Sequence, residues 1–100
     1  MKVTLMVDWR GEEILTVKEL DERIDAKVEE LTRNTDVYNE YLDDYLDCNY
    51  TKKELFDALS GSDAERKEVL ADIRSKVAED IYDYVNMDIK SDFQKITIEV

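Results

Sequence analysis

The chain contains no histidine and no proline, only two glycines, and a single cysteine in 100 residues. Without histidine it lacks the commonest general base, metal ligand and pH switch. One cysteine excludes an internal disulfide, and with no histidine to join it the Cys–His nucleophilic pairs and the usual zinc sets are excluded too. Neither Gly11 nor Gly61 belongs to a phosphate-cradling glycine loop. No Pro- or Gly-rich linker and no internal repeat interrupts the chain, so its length predicts one domain over residues 1–100. Apolar runs last only a few residues, far short of a membrane span. The start, Met1-Lys2-Val3-Thr4-Leu5, lacks the apolar run and cleavage site of a signal peptide. Cytoplasmic residence is therefore the expectation. Basic residues are also scarce: 14 Lys and Arg stand against 26 Asp and Glu, for a net charge of −12. That charge disfavours nucleic acid and anionic membranes as direct partners, because both would repel it.

What is present is strongly periodic. Val3, Leu5, Val7 and Trp9 alternate with Lys2, Thr4, Met6 and Asp8, the pattern of a strand with one buried face. Arg10-Gly11 permits a tight reversal, with a short return strand over Glu12–Leu15. Thr16-Val17-Lys18-Glu19 is a capping box flanked by the staple residues Leu15 and Leu20, and the stripe Val17, Leu20, Ile24, Val28, Leu31 carries a helix to about Arg33. Asn34 and Thr35 open a second helix to Asp47. Thr51–Glu54, with Tyr50 and Leu55 as its staple, opens a short third, and Ser62–Glu65 opens a long fourth with Leu70, Ile73, Val77, Ile81 and Tyr84/Val85 inward. Gln94–Val100 alternates again, with Ile96, Ile98 and Val100 on one side. The order is β-β-α-α-α-α-β. It predicts an α+β fold in which the N-terminal hairpin and the C-terminal strand form a small antiparallel sheet, with about four helices packed on its apolar face.

Two stretches, Asp36–Tyr50 and Val77–Ile89, contain no Lys or Arg. They hold Asp36, Glu40, Asp43, Asp44 and Asp47, and Glu79, Asp80, Asp83 and Asp88, together with all six tyrosines. On the second helix Asp36, Glu40, Asp43 and Asp47 line one face, with Asp44 beside it. Like charges four residues apart cost about 0.2–0.5 kcal/mol per pair. Asp43, Asp44 and Asp47 also approach the C-terminal end, where the helix dipole disfavours anions. The Glu79/Asp83 pair repeats the violation. Elsewhere the chain obeys the local rules, and violations confined to one feature are where function is expected. A single carboxylate reads as solvated surface; the two stretches together read as a surface for a basic partner. Tyr41, Tyr50 and Tyr82 are the tyrosines expected to be exposed there, since tyrosine suits interfaces.

Chemistry has little else to stand on. Paired carboxylates need a cleft to act as a glycosidase does, which a domain of this size rarely provides. Asp43-Asp44-x-x-Asp47-x-Asn49 lacks the alternating oxygens, the turn glycine and the terminal Glu of a calcium loop. Cys48 lies among acids rather than beside a base, so it reads as an inert, half-buried residue. A non-enzymatic binding protein without cofactor or metal is the reading.

The closing stretch, Tyr82-Asp83-Tyr84 through Asp92-Phe93-Gln94-Lys95-Ile96-Thr97-Ile98, resembles the tail of small phage-encoded inhibitors of type II CRISPR nucleases. The resemblance covers about a fifth of the chain and implies a mode of action: carboxylates that mimic DNA and occupy the groove of an RNA-guided nuclease. Its implied setting is the cytoplasm of a host cell. Duplex DNA carries one charge per ~1.7 Å of its axis, so two acidic helices side by side would approximate it better than one. The alternative is an acidic adaptor or assembly protein that joins its partner through a sheet edge, or forms a homodimer.

Overall fold

The computed structural model, which describes residues 1–100, places β1 (Lys2–Asp8) between β2 (Ile14–Thr16) and β3 (Phe93–Glu99) in an antiparallel sheet. Helices α1 (Val17–Arg33), α2 (Thr35–Asn49), α3 (Lys52–Leu59) and α4 (Asp63–Ser91) follow β2 and precede β3. The class and the element order are those the sequence pattern predicts. The elements are distributed over two compact units, Met1–Glu30 with Tyr82–Val100, and Leu31–Ile81.

In the sheet-bearing unit, Gly11 makes the reversal with φ at +71°, a backbone region that a side chain disfavours. The Asp8 carboxylate accepts from the Glu12 and Glu13 amides at 2.7 and 3.1 Å. Those amides thus belong to the turn, which is why β2 starts at Ile14 rather than at Glu12. The Thr16 box closes in both directions at 3.1 Å and starts α1.

Directly paired residues share a sheet face. Met6 pairs with Leu15, and Asp8 with Phe93. Leu15 and Phe93 are buried, as are Leu20 and Ile24 of α1 and Val85 of α4. Each fully buried aliphatic side chain contributes roughly 1.5–3 kcal/mol. Arg23 of α1 lies over the Phe93 ring, 6.0 Å from its centre. Helix α1 and the end of α4 from Tyr82 onward therefore cover the Leu15/Phe93 face. The opposite face carries Val3, Leu5, Val7, Ile14, Ile96 and Ile98, and Ile14 and Ile98 are 61% and 46% exposed. The expectation that the helices pack on the more apolar face is overturned. Trp9 lies beyond the strand, 67% exposed, and donates from Nε1 to the Ser91 carbonyl at 2.9 Å.

In the second unit, α2 is capped by Asn34, whose side chain accepts from the Val37 amide. The Thr51 box closes fully on α3. Ser62 accepts from the Glu65 amide at 3.3 Å, but the Glu65 carboxylate folds over Gly61, where a Cβ would collide with it. That third box is only half closed. Ile73, Val77 and Ile81, at four-residue spacing on α4, are buried, whereas Leu70 is 38% exposed. From α2 and α3, Tyr38, Leu42, Tyr45, Leu46, Leu55 and Leu59 are half-buried.

Candidate protein-binding surface

Helix α2 presents its acidic stripe because its apolar residues fall on the other side. Val37, Tyr38, Tyr41, Leu42, Tyr45 and Leu46 are half-buried, and Asp36, Glu40, Asp43, Asp44 and Asp47 are all exposed. None of these five forms an ion pair. The last turn of α2 contains no basic residue. Its carbonyls are met instead by neutral donors: Asn49 Nδ2 to the Tyr45 carbonyl at 2.8 Å, and the Tyr50 amide to the Leu46 carbonyl at 2.9 Å. Ion pairs outside α2 include Arg23–Glu13, Lys27–Glu30, Arg66–Asp63 and Lys76–Glu79.

The α4 residues divide differently. Glu79 is 3.8 Å from Lys76, which lies one residue before the base-free stretch begins. Asp80 and Asp83 are exposed without an ion pair, and Asp88 is exposed while its carbonyl accepts from the Ser91 hydroxyl. Within the second unit, Asp80 approaches α2 through Tyr45. Burial raises the pKa of the Tyr45 hydroxyl above its ordinary 10.0; Tyr50, Asp72 and Asp80 push the same way and Lys76 opposes them. Asp72, Lys76 and Asp80 form a row at four-residue spacing, so this side of α4 faces Tyr45. The Tyr45 and Tyr50 rings meet edge-on, their centres 6.4 Å apart.

Tyr82 is 44% exposed, but Tyr41 and Tyr50 are half-buried, and Tyr84, expected to face inward, is 56% exposed. Val85 alone takes the inward position of that pair. Cys48 is exposed rather than half-buried, because it lies beside Asp44 and Asp47 on the outer side of α2. The carboxylates spread along the helices, and no three or more potential ligands converge on a metal-sized site. No helix is long and apolar enough to cross a membrane.

The sequence reading missed a cluster in the sheet-bearing unit. Arg23 grips Glu13 through both of its terminal nitrogens, Nη1 to Oε2 at 3.0 Å and Nη2 to Oε1. This pairing holds the Glu13 carboxyl below its ordinary 4.5. A cavity of about 330 Å³ lies alongside, lined by Asp8, Trp9, Arg10, Asp92 and Phe93 among others. Its one helix-borne cation, Arg23, is already committed to Glu13. Glu13 and Arg23 are ten positions apart, with β2 and the first turns of α1 between them, so no local spacing rule flags them. The chain matches no family model, no curated protein and no solved structure.

Proposed function

We propose that this protein is an acidic DNA mimic that inhibits a host defence nuclease, of anti-CRISPR or anti-restriction type, by occupying its nucleic-acid groove. One observation carries the reading: five carboxylates stand exposed along α2, none with a counter-ion, against like-charge repulsion and, toward the C-terminal end at Asp47, against the helix dipole as well. A folding requirement would select the opposite arrangement. A basic groove supplies the missing counter-charges, as it does for the phosphates of DNA. The half-buried Tyr41 and Tyr50 border the acids and supply contact area at low entropy cost.

The test is capture of partners from a host lysate on the immobilised chain across a salt series. Binding is expected to weaken steeply with salt and to be lost in the triple variant Asp43→Lys, Asp44→Lys, Asp47→Lys. The far-UV circular dichroism of that variant should match the parent. If the charge-reversed protein still captures the same partner, the acidic face is not the binding site.

A further inference from the structure

The outer edge of β3 is open, and its hydrogen-bonding groups can be assigned. The Val100 amide donates to the Met1 carbonyl at 2.7 Å, the Met1 amino group donates to the Val100 carbonyl at 3.0 Å, and the Trp9 amide donates to the Asp92 carbonyl at 3.2 Å. These contacts extend the register that pairs Lys2 with Glu99 and Asp8 with Phe93. Hydrogen-bonded pairs alternate along an antiparallel ladder. Gln94, Ile96 and Ile98 therefore bond to β1, and Phe93, Lys95, Thr97 and Glu99 turn their amides and carbonyls to the free edge. The register runs through all seven residues of β3 without a bulge, and the strand contains no proline. An edge of this kind is a template for another strand.

We infer that the partner is a second copy of this chain, its β3 antiparallel to the first about a two-fold axis at Thr97. The charges select this register. With the axis at Thr97, Lys95 of each copy lies directly opposite Glu99 of the other, on the face shared with Phe93. An axis at Lys95 sets lysine against lysine, and one at Glu99 sets glutamate against glutamate. An axis at Ile96 or Ile98 leaves both charges without an opposite partner. The same Thr97 axis sets Ile96 against Ile98 on the open sheet face, where they are 37% and 46% exposed, so each isoleucine covers the other. Lys95 alone would protect the edge from pairing; opposite Glu99 it directs it. The arrangement is isologous and closes on itself, giving a dimer rather than a fibre. Its two sheets join into one whose shared open face has no charged residue at any paired strand position: Val3, Leu5, Val7, Ile96 and Ile98 with Ile14, Thr16 and Gln94. The dimer does not depend on the acidic α2 surface or on what that surface binds.

The test is sedimentation of the full chain from about 10 µM to about 1 mM, the range in which small interfaces associate. The parent is expected to shift from monomer to dimer. Thr97→Pro removes an amide that no bond within the chain uses, a position where an edge strand tolerates proline. It should remain monomeric with unchanged circular dichroism. Lys95→Glu alone should weaken association roughly tenfold, since two like-charge pairs replace two opposite ones. Adding Glu99→Lys to it should restore the parental constant, and this exchange keeps the test decisive if the proline variant misfolds. A parent that stays monomeric at the highest concentration overturns the proposal. So does a dimer that survives Thr97→Pro in a folded chain, or a double exchange that fails to restore association.

Discussion

Arg23 connects three parts of the sheet-bearing unit: it stands on α1, grips Glu13 in the turn before β2, and lies over Phe93 at the start of β3. Both members of the ion pair are about two-fifths exposed, so solvent screens it and its value lies more in geometry than in energy. The planar guanidinium suits a bidentate carboxylate and an aromatic face together, which lysine could not match. Because the Glu13 carboxyl titrates below its ordinary 4.5 in the fold, its stabilisation is present above that value and is lost as pH falls through the lowered one. Glu13→Gln should therefore lower the thermal midpoint at neutral pH. The two proteins' midpoints should converge in acid below pH 4.5, which thermal melts across a pH series would measure.

At the scale of elements, signals confined to a few neighbouring residues could be read directly. Thr16 with Glu19 and Thr51 with Glu54 form reciprocal caps where their spacing predicts them. Thr51→Ala should cost about 1 kcal/mol, measured as a shift in the denaturant midpoint. The acidic stripe of α2 was equally legible, since exposure follows from its spacing opposite the tyrosines and leucines. Asp47→Lys should raise stability by roughly 0.5–1 kcal/mol, replacing a like-charge pair with an opposite one and placing a cation at the helix end. The covered face of the sheet was not legible. Alternation marks Val3, Leu5 and Val7 as apolar, but the choice is made by Leu15 and Phe93, one residue from each flanking strand, and both lie on the other face. Period-2 patterning sorts residues into two faces without stating which one a helix covers.

For the whole molecule, a net charge of −12 is distributed in a consistent way. Ion pairs form outside α2, the α2 carboxylates are left unpaired, and the open sheet face has no charge at its paired strand positions. Field lines from the unpaired acids would steer a basic protein toward α2 from beyond contact range, with attraction that shortens as salt rises. The account's central claim is that this surface stands in for DNA, and competition tests it most directly. A captured partner on the immobilised chain is challenged with duplex DNA of about 20 base pairs, enough to fill a groove of the kind read by guided nucleases. The account predicts that DNA releases the partner in proportion to its concentration, and that the chain in excess blocks the partner from DNA. A partner that holds the chain and the duplex at once, each with undiminished affinity, would contradict it.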